Sequence, residues 1–177
     1  MRKILVLGAG MSASTLIKYL VDNAENENWY VKLGDYNLDL AKSKVGNSNN
    51  ALAFKFDISD EEQCGKEVSE ADIVVSMLPA RFHHLAATQC LNHKKNMVTA
   101  SYVSDELKQM HQEAIDKGII MLQEIGLDPG IDHMSAMKVI NEIKAEGGKI
   151  TDFESFAQQR MTDESAEFQL AEDCIEL

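Results

Sequence analysis

Apolar residues come along this chain in short bursts of two alternating kinds. Ile4-Leu5-Val6-Leu7 is an unbroken run that stops at Gly8, as a strand covered on both faces does. Ala13, Leu16, Ile17, Leu20 and Val21 then recur at helical spacing and predict a helix over 11–24. An Asn/Glu-rich stretch at 23–28 reads as a loop, and 29–35 reads as a second strand ending on Asp35. Residues 51–56 alternate like a third strand, and Asp57 or Ser59 is suited to cap the helix expected through 60–70. Residues 71–79 form a nearly continuous apolar fourth strand, and Pro79 sets up a helix over about 80–93. A fifth strand is expected at 96–100. A helix from Ser104 follows, with Leu107, Met110, Ala114 and Ile115 on one face, and then a sixth strand at 118–122. The last long helix is expected over 131–146, stopped by Gly147-Gly148. Six short strands alternating with helices imply right-handed crossovers and an α/β fold, a doubly wound parallel sheet.

Composition narrows the class. At 177 residues the chain suits one domain and the start of a second. A chain of that length buries roughly 70% of its unfolded surface and needs no disulfide or metal to hold a core. Cys64, Cys90 and Cys174 lie far apart without Cys-x-x-Cys spacing, so they read as thiols of a cytoplasmic protein. No apolar run approaches the ~20 residues that span a bilayer, and residues 4–7 are too short for a signal peptide. The formal charge of −12 argues against nucleic acid as a partner. Of that charge, −7 falls in 151–177, where eight acidic residues meet one Arg; this reads as a solvated helix face. His83 and His84 are adjacent and point to different faces, His93, His111 and His133 are scattered, and no metal site is expected.

The candidate chemistry gathers at strand ends. Gly8-Ala9-Gly10-Met11-Ser12-Ala13 follows a strand and opens a helix, the context in which Gly-x-Gly-x-x-Ala binds a dinucleotide. Gly8 permits the turn, Gly10 lets a pyrophosphate approach the backbone, and small Ala13 lets helix and strand pack closely. Free N–H groups at residues 11–14 (Met11, Ser12, Ala13, Ser14) and the helix dipole favour an anion there. Asp35, 25 residues beyond Gly10, stands where a carboxylate would accept from the ribose hydroxyls. The alternative for Asp35 is an ordinary turn aspartate before Tyr36-Asn37. In the functional reading it would repel a 2′-phosphate and favour NAD over NADP, with no Arg at 36–41 to offset it. Asp57 and Ile58 would sit near the adenine, and Ser76 to Pro79 would lie on the ligand-binding edge. Residues 124–133 form a stiff Gly-Pro-Gly loop that carries Asp128 and suits either a plain connection or substrate positioning.

Gly8-Ala9-Gly10, Ser76-Met77-Leu78-Pro79, residues 99–104 and above all residues 123–133 (Gln123-Glu124-Ile125-Gly126-Leu127-Asp128-Pro129-Gly130-Ile131-Asp132-His133) resemble the saccharopine dehydrogenase (saccharopine reductase, L-glutamate-forming) family. The resemblance covers roughly residues 1–156. It implies a Rossmann NAD(P)-binding domain over 1–130 and an NAD(P)-dependent oxidoreductase of lysine metabolism. Such an enzyme oxidises the secondary amine of saccharopine to glutamate and aminoadipate semialdehyde. By this match residues 11–14, Asp35, Asp57, Ile58 and Leu78 would hold the nucleotide, with NAD expected ahead of NADP. Ser101 and Tyr102 would contact the amino-acid substrate. Gly126, Leu127 and Asp128 would line the junction of cofactor and substrate, with Asp128 able to attract the secondary ammonium or take its proton. The match breaks after residue 156. There Ala157-Gln158-Gln159-Arg160 replaces the family's Gly-Gly-Leu-Pro-Ala-Pro-like segment, which leads into a large substrate and dimerisation domain. Residues 131–177 are therefore expected to be a connecting helix, a strand from Lys149 and an acidic helix capped by Thr162. The chain reads as a truncated or internally deleted relative, and a homodimer is the assembly the family implies. A free-standing NAD-binding module without turnover, or a dehydrogenase of carboxyspermidine-type amines, are the competing readings.

Overall fold

The structure, a computed structural model, describes residues 1–154 and the backbone of two short strands beyond them. The chain divides into two compact units, Met1–His133 and Met134–Leu177. In the first, β1 (Arg2–Leu7), β2 (Trp29–Asp35), β3 (Ala51–Lys55), β4 (Ile73–Ser76), β5 (Asn96–Thr99) and β6 (Met121–Leu122) form one six-stranded sheet. Its order is β3-β2-β1-β4-β5-β6 and every pairing is parallel. The chain works outward from β1 in one direction, returns to β4 and works outward in the other. That reversal leaves a crevice at the carboxyl ends of β1 and β4.

Side-chain alternation along β1 explains the two layers. Ile4 and Val6 face one side, packed in a cluster with Ala13, Ile17 and Leu20 at the start and along α1 (Ser14–Asp22) and with Ala41 and Val45 of α2 (Leu38–Val45). Leu5 and Leu7 face the other, with Cys64 and Val68 of α3 (Glu61–Glu70) and Ala86, Ala87 and Cys90 of α4 (His83–His93). Each large side chain buried in these layers contributes roughly 1.5–3 kcal/mol. Both faces of β1 are covered, so its residues read as an unbroken apolar run.

Several elements differ from the sequence expectation. Helix α2 was not predicted. Asn37 caps it by accepting from the Leu40 amide at 3.1 Å, and Gly46 ends it at φ +63°. The cap of α3 is Asp60, accepting from Gln63 N at 2.9 Å, rather than Asp57 or Ser59. Residues 11–13 form a 3-10 turn before α1 proper. The helix expected from Ser104 is two, α5 (Asp105–Gln109) and α6 (His111–Lys117), meeting at Met110. The sixth strand is short because Gly118, at φ +67°, still belongs to the end of α6.

Helix α7 (Ile131–Ala145), all but its first three residues in the second unit, runs to the Gly147-Gly148 stop, where Gly148 N donates to Ile143 O at 2.9 Å. The strand expected from Lys149 appears only as β7 (Phe156–Ala157), antiparallel to β8 (Ala171–Glu172). The acidic helix expected from Thr162 lies mostly outside the described residues, and Ala171–Glu172 within it is a strand.

Candidate cofactor and substrate site

The crevice is a cleft of about 580 Å³ bordered by Gly8, Gly10, Ser12, Asp35, Asp57 and Leu78, among others. Seven of the residues expected at a nucleotide site, these six and Ile58, thus come together at one edge of the sheet. Gly8 has φ +102°, and a Cβ there would come within 2.6 Å of Met77 O, so the turn after β1 admits glycine alone. Gly10 has an ordinary φ of −58°, and a Cβ there would meet nothing within 4 Å. Its openness is toward the cleft, which fits the close approach of a pyrophosphate and not a demand of the fold.

The anion-binding amides are fewer than expected. Ala13 N donates to Gly10 O at 3.2 Å and Ser14 N donates to Met11 O, so the loop offers an anion the amides of Met11 and Ser12. Ala13 is fully buried and does the packing the sequence assigned to it. Ser14 turns its hydroxyl to Met11 O at 2.7 Å. Met11 is largely exposed beside the turn.

Asp35 sits at the carboxyl end of β2 and staples the loops together. One carboxylate oxygen accepts from Ala9 N at 2.6 Å and the other from Asn37 N at 2.8 Å. Asp57 accepts from the Ser59 hydroxyl at 2.6 Å and amide at 2.9 Å, and these bonds hold its carboxyl below the usual range.

A second set of groups lies beyond β4 and β5. His83 opens α4 and is fully buried. Its Nδ1 meets Ser76 Oγ at 2.8 Å and its Nε2 meets Ser101 Oγ at 2.7 Å, with Thr99 Oγ1 at 3.4 Å. Burial pushes the imidazole below its ordinary pKa, so it bridges the two hydroxyls as a neutral ring with one N–H. Ser76 precedes the cleft residues Met77 and Leu78, while Ser101 precedes Tyr102. One imidazole thereby ties the cofactor cleft to the expected substrate contacts.

The loop at 124–133 is stitched to the same rim. Glu124 N donates to Ser101 O at 3.1 Å, Val103 N donates to Glu124 Oε1 at 3.1 Å, and Tyr102 OH donates to Asp128 Oδ1 at 2.8 Å. Within the loop Gly126 N donates to Pro129 O at 2.9 Å and Gly130 N to Asp132 Oδ1 at 2.8 Å. Ser101, Tyr102 and Asp128 therefore share one rim. Gly126 and Leu127 belong to the same loop but do not border the cleft, and Leu127 is exposed.

Sequence reasoning missed His83, whose partners come from two other strand ends. It also missed Lys44 on the unpredicted α2, whose Nζ donates to Gly10 O at 2.9 Å. The signal for α2 was present in Asn37 as cap, Ala41 and Val45 four apart, and Gly46 as stop.

A doubly wound sheet whose glycine turn opens on a carboxyl-edge crevice is a dinucleotide-binding domain. Residues 4–122 match the family model for the saccharopine dehydrogenase NADP binding domain, and residues 126–169 match that for the saccharopine dehydrogenase C-terminal domain. The chain belongs to the saccharopine dehydrogenase family. It is 35% identical over 156 residues to the saccharopine dehydrogenase [NADP(+), L-glutamate-forming] of Schizosaccharomyces pombe, covering 88% of this chain and 34% of that protein. It is 38% identical over 170 residues to the alpha-aminoadipic semialdehyde synthase of Arabidopsis thaliana, covering 86% of this chain and 16% of the other. The apo saccharopine dehydrogenase (L-Glu forming) of Saccharomyces cerevisiae superimposes with a TM-score of 0.77 at 32% identity, over 86% of this chain and 33% of that one. The chain thus spans about a third or less of the length of these relatives.

The expected preference for NAD is corrected by these matches, since the matching family domain is an NADP-binding one. Asp35, expected either to repel a 2′-phosphate or to serve as a turn aspartate, accepts a backbone N–H on each carboxylate oxygen. Among the described residues no helix is long and apolar enough to cross a membrane.

Proposed function

We propose that this chain is the cofactor-binding part of an NADP-dependent oxidoreductase that acts on the secondary amine of saccharopine. The observation that carries the reading is the bridge through His83, which joins a dinucleotide-shaped cleft to a rim holding Ser101, Tyr102 and Asp128. The fungal relatives, saccharopine dehydrogenases [NADP(+), L-glutamate-forming], support NADP as cofactor and an L-glutamate-forming reaction. Bound in the cleft, the nicotinamide would take the hydride from the carbon of the C–N bond that is oxidised.

The chain's own groups do the rest. The amides of Met11 and Ser12 would hold the pyrophosphate, and Asp57, Ile58 and Leu78 would border the adenine. The Ser101 hydroxyl, held from behind by His83, donates to a substrate carboxylate. Asp128 attracts the secondary ammonium and receives its proton, while Tyr102 OH fixes one of the two carboxylate oxygens and leaves the other for the amine. Water then splits the imine into glutamate and the semialdehyde. The buried, unpaired thiols of Cys64 and Cys90 suit a reducing compartment, and the cytoplasm is the location we favour.

The alternative reading is cofactor binding without turnover. The purified chain mixed with NADP and then saccharopine separates them. Appearance of reduced-nicotinamide absorbance with matching glutamate supports the enzymatic reading. Binding of NADP without turnover supports the module. No binding of either dinucleotide overturns both.

A further inference from the structure

His83 is a neutral ring among hydroxyls, and its one N–H can sit on either nitrogen. The neighbours decide which. Ser76 is fully buried at the end of β4, and among the described residues its Oγ meets only His83 Nδ1, at 2.8 Å. A proton on Nδ1 would leave the Ser76 O–H without an acceptor in the interior. A buried donor left unpaired costs more than an ordinary bond returns. The other nitrogen lies 2.7 Å from Ser101 Oγ, a distance that needs a proton between the two atoms. Thr99 Oγ1 is the weaker neighbour at 3.4 Å, and it accepts from Ser101 N at 3.3 Å. With the ring proton on Nε2, Ser76 donates to Nδ1, Nε2 donates to Ser101, and only the Thr99 proton lacks a close acceptor. With it on Nδ1, Ser101 must donate to Nε2, and the protons of Ser76 and Thr99 both go unpaired. Burial therefore favours Nε2–H.

The choice reaches the rim, because a hydroxyl has a single proton. If Ser101 gives it to the ring, Ser101 can only accept from a ligand; if Ser101 accepts from the ring, it can donate. We infer that Ser76 and His83 are positioning residues that set Ser101 as a donor toward the ligand. Ser76 gives its proton to Nδ1, Nε2 gives its own to Ser101 Oγ, and Ser101 turns its proton outward. The ring is fully buried, so it acts on a ligand only through Ser101. Ser101 O also accepts from Glu124 N at 3.1 Å, which keeps Ser101 beside the loop that carries Asp128. The rim then offers a donor at Ser101 and a carboxylate at Asp128, the complement of a ligand with both a carboxylate and an ammonium. The inference rests on the reading of Ser101 as a substrate contact.

One arm of the test needs no ligand. Two-bond proton–nitrogen spectra of the isotope-labelled chain read the tautomer, with His83 assigned by its absence from His83→Gln. We expect the proton on Nε2 in the wild type, and in Ser76→Ala a mixture that contains the Nδ1–H form. A wild-type proton on Nδ1, or an Nε2–H ring unaltered by Ser76→Ala, overturns the inference. Calorimetry with saccharopine at saturating NADP then compares the wild type, Ser101→Ala, His83→Phe and the double variant. Each single change should weaken saccharopine by roughly tenfold to a hundredfold, as loss of a hydrogen bond to a charged group does. The double variant should bind no more weakly than either single one, because His83 acts through Ser101. His83→Gln, whose amide can donate from the place of Nε2, should recover most of the affinity lost in His83→Phe. Additive losses, or a His83→Gln as weak as His83→Phe, would reduce His83 to core packing and overturn the inference. If the wild type does not bind saccharopine, the substrate reading fails and takes the inference with it. If saccharopine binds and the ring proton sits on Nδ1, the substrate reading stands and only the inference falls.

Discussion

Gly10 is the residue at which folding and binding separate most cleanly. Its backbone is ordinary and the space above it is open, so Gly10→Val should fold and melt like the wild type. The valine side chain would occupy the place of the pyrophosphate, and NADP affinity should fall by at least about a hundredfold. Gly8 is the contrast: any side chain there strikes Met77 O and the φ of +102° is itself strained, so Gly8→Ala should cost more than about 1 kcal/mol by urea denaturation. His83 gives the site a pH signature. Above the unfolded-state pKa of about 6.5 the imidazole is neutral in both states and the bridge contributes fully. As the pH falls below that, the unfolded chain takes up a proton that the buried ring refuses, and stability declines until the folded ring also titrates. Urea midpoints measured between pH values of about 7.5 and 5 should show this decline in the wild type and less of it in His83→Gln. Gly8, Gly10, Asp35, Asp57, Ile58 and Leu78 could be placed at the cleft because each lies at, or within three residues of, a strand end that the periodicity located. His83 and Lys44 were not, because their roles depend on partners that only the sheet order brings near.

Among the elements, the strands could be read best. Continuous apolar runs bounded by polar loops located β1, β2, β4 and β5 with errors of a few residues at the ends. Helix α2 escaped because only Ala41 and Val45 of its eight residues are buried, which leaves no visible apolar face. It is held largely by its ends. Asn37→Ala should therefore cost about 1 kcal/mol, measured by urea denaturation. The same variant should loosen Lys44's hold on Gly10. The C-terminal loop of the first unit is fixed differently, by hydrogen bonds to the neighbouring rim. Tyr102→Phe removes the bond to Asp128 and should leave the melting temperature nearly unchanged, because an exposed bond contributes only about 0.5–1.5 kcal/mol. Amide exchange in residues 124–130 should nonetheless quicken, which mass spectrometry would detect.

At the scale of the molecule, the order β3-β2-β1-β4-β5-β6 is one of those that alternating strands and helices with right-handed crossovers allow. No residue encodes it alone. The order places the ends of β1 and β4 side by side and so creates the crevice, which is why a weak glycine pattern became a definite cleft in three dimensions. The NAD preference expected from Asp35 was not supported by the family match, whose domain is described as NADP-binding. Whether the carboxyl edge of this sheet holds an adenine dinucleotide is tested by hydrogen–deuterium exchange with and without NADPH. Slowed exchange confined to residues 8–14, 35–37, 57–59 and 77–79 is expected. Protection absent from those segments, or concentrated at the opposite edge of the sheet, would contradict it.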